Sequence, residues 1–257
     1  MTECLRVERT GRVVRLVLDR PERLNAVNEQ LYARLTQELG RADDDPDVRV
    51  IVVAGEGRAF CVGADQKAHA EGRTAAQQAE YVELGWRVCE LIQRSRKPVV
   101  AAVHGYALGA GAEIATSADF LVMAEDAQMG FPEVSIGTYV GGGVTRRLPR
   151  LVGLRRATEL LMLGERFSGK DAVSWGLAFL AVPADALAAA VSDLAQRLAA
   201  KAPLSIARLK AALLSEAPFD EVLRSEAADL LAIMRTSDWA EGVAAFRDRR
   251  TPTFTGK

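Results

Sequence analysis

Along the first half of the chain, apolar and polar positions switch between two periods. Residues 12–21, RVVRLVLDRP, interleave valine and leucine with arginine and end at a proline, which predicts a strand. Residues 24–45, LNAVNEQLYARLTQELGRADDD, carry apolar side chains three and four apart and stop in an acidic turn, which predicts an amphipathic helix. Residues 48–57, VRVIVVAGEG, read as a buried strand running into a glycine turn, and residues 75–95, AAQQAEYVELGWRVCELIQRS, as a second amphipathic helix. KPVVAAVHG (97–105) and ADFLVMAED (118–126) predict two more buried strands. Strands alternating with helices point to parallel βαβ units and an α/β fold.

The second half changes character. From Val144 to Lys210 helical patterns dominate, with LAFLAVP (177–183) as the expected strand, and from about Asp185 to Lys257 the Ala- and Leu-rich pattern is nearly all helical. The shift sets an expected boundary near 195–200, dividing a core over 1–195 from a helical segment over 196–257. So many apolar positions in that segment call for a surface to pack on, either its own core or another subunit.

Composition narrows the class. The 257 residues are 49% hydrophobic and 26% charged, ordinary values for one large globular domain or one domain with a small appendage. With 33 basic and 34 acidic residues the net charge is −1, which favours neither nucleic acid nor an anionic membrane as partner. Cys4, Cys61 and Cys89 are odd in number and lack CxxC spacing, and with His69 and His104 they make a poor zinc set, so they are expected to be buried, reduced thiols in a cytosolic protein. The start, MTECLRVERTGRVVRL, holds no apolar stretch of signal-peptide type, and the uncharged run between Pro98 and Glu113 is too short and too broken by glycine to span a bilayer.

Several motif matches fail on their context. GERFSGKD (164–171) resembles a phosphate-binding loop, but Asp171 stands where Ser or Thr would hold magnesium, and the preceding residues are helical rather than a strand; Ser168 as the N-cap of a following helix explains the run better. GEGRAF (55–60) starts like a dinucleotide fingerprint and places Phe60 at its third glycine. His104 falls at a strand end with no nucleophile assigned to it and is read as structural. The run RRLPRLVGLRR (146–156) has five arginines in eleven positions, read first as a solvated helix face or subunit contact and only second as an RNA-binding surface.

Two signals carry chemistry. GRAFCVGAD (57–65) and GYALGAGAE (105–113) each follow a buried strand with a turn of small residues. Such turns let a ligand approach the backbone, and a helix starting near Ala110 would add its unsatisfied N–H groups. Two N–H groups converging on one oxygen stabilise an oxyanion. Each turn alone reads more simply as a tight strand-to-helix connection. The second signal is a pair of acids, Glu113 directly after the second turn and Glu133 within MGFPEVSIGTYVGGG (129–143). Two carboxylates beside such a site suit acid–base work on a carbonyl compound.

Taken together these stretches resemble the crotonase family, the enoyl-CoA hydratase/isomerase superfamily, over nearly the whole chain. The matching stretches are PERLNAVN (21–28), GRAFCVGADQK (57–67), KPVVAAVHGYALGAGAEIATSADFLVMAEDAQMGFPEVSIG (97–137), LMLGERFSGKDAVSWGLAFLAVP (161–183) and GVAAFRDRRTPTFTGK (242–257). The resemblance implies an α/β spiral of ββα repeats with a C-terminal helical segment that builds a trimer, commonly paired into a hexamer. It implies that the backbone N–H groups of Ala64 and Ala110 bind a thioester oxygen and that Glu113 and Glu133 are the two catalytic acids of a hydratase. Double-bond isomerases of the family usually keep only the second acid, so the pair favours hydration of an enoyl-CoA. An isomerase, or a hydratase of a cyclic or aromatic acyl-CoA, is the alternative on the same fold, and a noncatalytic RNA-binding relative is the alternative of another class. Coenzyme A and the acyl group are expected against Arg23, Leu24, Ala26, Val62, Asp65, Gln66, Lys67, Tyr139 and Gly141. No metal or redox cofactor is implied, since CoA is part of the substrate, and the expected location is cytoplasmic. Ala110 stands where the family usually has glycine, and Val140 where proline is frequent.

Overall fold

The valine-rich runs build the centre of the molecule. In the computed structural model, which describes residues 4–65 and 72–257, the chain runs β1 (Leu5–Thr10), β2 (Val13–Leu18), α1 (Glu29–Asp44), β3 (Val50–Gly55), α2 (Ala75–Arg94), β4 (Val99–Val103), β5 (Tyr106–Leu108), α3 (Ala110–Ser117), β6 (Phe120–Ala124) and β7 (Gln128–Gly130). It continues through α4 (Val144–Leu163), β8 (Phe167–Ser168), α5 (Gly169–Ser174), β9 (Leu180–Val182), α6 (Leu187–Ala199), α7 (Pro203–Leu213), α8 (Phe219–Ile233) and α9 (Ser237–Arg247).

Two sheets form. The larger has the order β1-β2-β3-β4-β6-β9, parallel except for the β1–β2 hairpin, and the smaller the order β5-β7-β8. Both faces of β3 and β4 are covered, so their side chains are continuous Val, Ile and Ala rather than alternating. Each buried Val or Ile there contributes on the order of 1.5–3 kcal/mol.

The path repeats. β4 enters the large sheet, β5 the small one, and α3 follows; β6 and β7 then take the next places in the same two sheets. One turn earlier, β3 is followed by residues 61–64, where Cys61 pairs in parallel with Ala107 and Ala64 with Val27. The second layer therefore runs from Val27 through 61–64 to β5 and β7. This is the spiral of ββα turns with a helical C-terminal region.

The helices follow from their sequences. α1 buries Leu31, Tyr32, Leu35, Leu39 and Ala42 on one stripe, and the Asn28 side chain caps its first turn by accepting from Leu31 N–H. α2 starts in a capping box in which Thr74 and Gln77 satisfy each other's backbone N–H groups. α5 begins the same way, with Ser168 and Asp171. Asp171 is therefore a helix-capping acid, which accounts for the false phosphate-loop match. α4 contains Pro149 and breaks at Gly153 (φ 77, ψ 157).

α6 buries Leu187, Val191, Leu194 and Ala195 against β2, β3, β4 and β6. Beyond it, contact with the core rests on few groups. The buried Lys210 Nζ donates to the Ile92 carbonyl at 2.8 Å, the Lys97 carbonyl at 3.0 Å and Asp119 Oδ2 at 2.7 Å. α8 buries no residue. No described helix is long and apolar enough to cross a membrane.

Candidate active site

The site begins with the turn between β2 and α1. Leu24 and Asn25 both adopt left-handed backbone angles, at φ 50 and 58. Asn tolerates that region better than most residues. The Asn25 side chain, fully buried, accepts from Arg20 N–H at 2.8 Å and donates to the carbonyls of Glu56 at 2.9 Å and Ala59 at 2.7 Å. It staples the 20–26 turn to the glycine turn after β3. Arg23 is exposed beside it, and Leu24 and Ala26 form the wall of that turn.

The two small-residue turns lie side by side. Cys61 N–H donates to the Tyr106 carbonyl, and Leu108 N–H to the Cys61 carbonyl, at 3.0 and 2.9 Å. On its other side this segment bonds the first turn, Val62 N–H to the Leu24 carbonyl, Val27 N–H to Gly63 O and Asp65 N–H to Val27 O. Because Gly63 and Asp65 both bond Val27, the Ala64 N–H between them faces the opposite way, toward the chain leading into α3. Ala110 is the first residue of α3, where an N–H has no helical acceptor. Neither N–H donates a hydrogen bond among the described residues. The two strands approach closely here: a Cβ on Gly63 would lie 3.6 Å from Ala110 N.

Two glycines are required for this approach. Gly109 caps α3 at φ 53, ψ −122, a conformation open to glycine alone, and a Cβ there would lie 3.1 Å from Glu133 Oε1. A Cβ on Gly111 would lie 2.2 Å from the Cys61 carbonyl oxygen, so only glycine lets α3 rest on that turn.

Both acids reach this place. Glu113 stands on the first turn of α3 and accepts the Gly141 N–H at 2.5 Å. Glu133 is buried in a single 3-10 turn, Pro132–Ile136, that follows β7, with proline at its first position. Its Oε2 is buried with no hydrogen-bond partner among the described residues. Burial raises the Glu113 carboxyl, opposed by the Gly141 N–H and the Arg147 charge. Burial and then the neighbouring Glu113 charge push Glu133 up to about 7. The two acids differ in environment: the Gly141 N–H and the Arg147 charge oppose burial at Glu113, and only its own backbone N–H opposes it at Glu133.

Other expected residues fall differently. Asp65 is buried and pairs with Arg20 at 2.9 Å, so its carboxylate braces the first turn rather than being presented to a ligand. Val62 is half-buried between the same strands. Gly141 acts through its N–H on Glu113. Tyr139, two residues before it, is exposed. Gln66 and Lys67 lie outside the described residues. His104 Nε2 bonds the Gly57 carbonyl at 2.9 Å, a structural contact. All three cysteines are buried.

The arginine run does not form one solvated face. Arg146 and Arg150 both pair with Glu216, and Arg156 covers the Trp175 ring at 4.3 Å and pairs with Glu159. Arg147 turns inward to the site. A half-buried charge of this kind is set by partners brought together through folding, and no local pattern marks it.

Comparison with known proteins agrees with this architecture. The family model for enoyl-CoA hydratase/isomerase matches residues 8–257. The chain is 35% identical to the carnitinyl-CoA dehydratase of Salmonella typhi over 264 residues, covering 100% of both proteins. It superposes on the crystal structure of an enoyl-CoA hydratase from Bacillus anthracis with a TM-score of 0.95 at 31% identity, covering 99% of this chain and 100% of the other. An enoyl-CoA hydratase from Polaromonas sp. JS666 gives 0.93 at 32% identity, covering 97% and 99%. The spiral of paired strands, the glycine turns and these similarities along the whole chain lead to one conclusion: the protein belongs to the enoyl-CoA hydratase/isomerase family, the crotonase family.

Proposed function

We infer that the protein is an enoyl-CoA hydratase, adding water reversibly across the α,β double bond of an enoyl-CoA to give a 3-hydroxyacyl-CoA. The observation that supports this most is the pair of acids, Glu113 and Glu133, held in unequal environments beside two backbone N–H groups without acceptors among the described residues.

The chemistry follows from the residues. The thioester carbonyl withdraws electrons and makes Cβ electrophilic. Water oxygen bonds to Cβ, the double-bond electrons move toward the thioester oxygen, and that oxygen gains negative charge. The N–H groups of Ala64 and Ala110 form the oxyanion hole, binding the charged oxygen more tightly than the neutral carbonyl and lowering the barrier. One such donor contributes about 2.7–4 kcal/mol in well-studied enzymes. Glu113, as carboxylate, takes a proton from the water. Glu133, as the acid, delivers a proton to Cα, and the two exchange a proton to complete the cycle. Coenzyme A lies along the 23–26 turn with Arg23 toward phosphate, and Val62 and Tyr139 border the rest of the substrate.

A second reading follows from the Salmonella relative's name. The same acids run in reverse eliminate water, so dehydration of carnitinyl-CoA is the competing activity. The test follows loss of conjugated enoyl-thioester absorbance with crotonyl-CoA, and its gain with carnitinyl-CoA. Glu113→Gln and Glu133→Gln should each lower turnover about 10²–10⁴-fold. Wild-type turnover in both variants contradicts the assignment. Hydration absent alongside a carnitinyl-CoA signal selects the second reading.

Assembly belongs to the same proposal. Large apolar side chains stand exposed on the C-terminal helices, among them Leu213, Phe219, Leu230 and Leu231. Such a surface favours association, and a homotrimer, or two trimers paired, covers it; light scattering of the purified protein gives the mass.

A further inference from the structure

Arg147 connects the two pieces of chain that hold Glu113. Its Nη1 donates to the Gly142 carbonyl at 3.1 Å. Its Nη2 donates to the Glu113 carbonyl at 3.3 Å and to Thr116 Oγ1 at 3.2 Å. One guanidinium thus spans the glycine loop before α4, whose Gly141 N–H reaches the Glu113 carboxylate, and the helix α3 that carries Glu113. Its Nε is buried with no hydrogen-bond partner among the described residues. A charge held in such a place at that cost calls for a role beyond packing.

We propose that Arg147 is a positioning residue for the reaction: it fastens the 141–143 loop to α3, keeps the Gly141 N–H on Glu113, and holds Glu113 as the carboxylate that activates water. The catalytic part rests on the reading of Glu113 as the base; the fastening does not.

The other titratable groups around Glu113 leave Arg147 as the cation acting on it. Cys89 on α2 is pushed up to about 11 by burial, Cys61 beside β5 to about 12, and Tyr32 on α1 well above its ordinary value, so all three are neutral at pH 7. Glu133, after β7, adds only negative charge. Among the groups acting on Glu113, Arg147 and the Gly141 N–H favour ionisation and burial opposes it.

The test uses the full-length protein and two substitutions. Glutamate labelled with carbon-13 at the carboxyl reports the Glu113 titration without substrate, with Glu113→Gln assigning the signal. Arg147→Met should raise the pH at which Glu113 titrates by about one unit or more, lower kcat for crotonyl-CoA at least tenfold, and change KM less than about threefold. Arg147→Lys keeps the charge and loses the fork; it should return the titration close to wild type and leave kcat reduced. Should Arg147→Met fail to fold, Arg147→Lys decides: reduced kcat at unchanged KM and melting temperature supports the proposal, and wild-type kcat overturns it. A folded Arg147→Met whose Glu113 titrates as in wild type also overturns it. A titration that follows Arg147 in a protein without hydratase activity supports the fastening and removes only the hydratase reading.

Discussion

Gly141 donates its backbone N–H to Glu113 Oε1 at 2.5 Å. Glu133 receives no equivalent bond on its buried Oε2 among the described residues. A hydrogen bond to the charged form lowers a carboxyl's pKa, and burial without one raises it. On the proposed mechanism this difference suits Glu113 to act as carboxylate and Glu133 as proton carrier.

The first consequence is a pH limit on hydration. Glu133 is pushed up to about 7, chiefly by burial, and on the proposed mechanism it enters the cycle protonated. The rate kcat/KM for crotonyl-CoA should fall as pH rises through that value. The residual rate of Glu133→Gln, which cannot titrate there, should lack this alkaline limb; a pH–rate profile of both proteins checks it.

The same acid ties stability to pH. Its folded value of about 7 lies above the ordinary 4.5, so the fold favours the protonated form. That contribution is complete below about 4.5 and is lost as pH rises through about 7. Relative to wild type, Glu133→Gln should gain stability between those values, by at most about 3 kcal/mol, and stay level above them. Urea unfolding of both proteins at pH 3.5, 6 and 8, each about a unit or more from the nearest transition, measures the difference.

Asn25 anchors the turn expected to hold coenzyme A. Asn25→Ala leaves Arg20 N–H and the Glu56 and Ala59 carbonyls without their partner and keeps an unfavourable left-handed angle. It should destabilise the protein by about 2–4 kcal/mol. In the protein that remains folded, KM for acyl-CoA should rise more than kcat falls. Denaturant unfolding and steady-state kinetics test the two halves separately.

Gly109 joins fold and chemistry. Alanine there faces a backbone angle at φ 53, ψ −122 and a methyl group 3.1 Å from Glu133 Oε1. Gly109→Ala should cost about 1–3 kcal/mol and lower hydration at least tenfold. Activity compared at a temperature where both proteins are folded checks the second effect.

What the sequence revealed depended on the length of each signal. β3 and β4 were legible because each has five Val, Ile and Ala residues in a row, and β2 because valine and leucine flank a single arginine. β5, β7 and β8 are two or three residues long and show no period. β1 alternates Leu5, Arg6, Val7 and Glu8, a pattern that could have been read as a hairpin partner for β2. The acids and the small-residue turns were legible because glutamate is conspicuous among glycines and alanines. Asp65 was not, since its partner Arg20 is 45 positions away and nothing local marks the pair. Arg147 was hidden among four other arginines, and its burial comes from Gly142, Glu113 and Thr116.

The most direct measurement is a crystal structure of the protein with a bound, unreactive acyl-CoA. The account predicts the thioester oxygen within about 3 Å of both Ala64 N and Ala110 N, with Glu113 and Glu133 bordering Cα and Cβ. A thioester oxygen bound away from those two amides, or acids turned away from the acyl carbons, contradicts it.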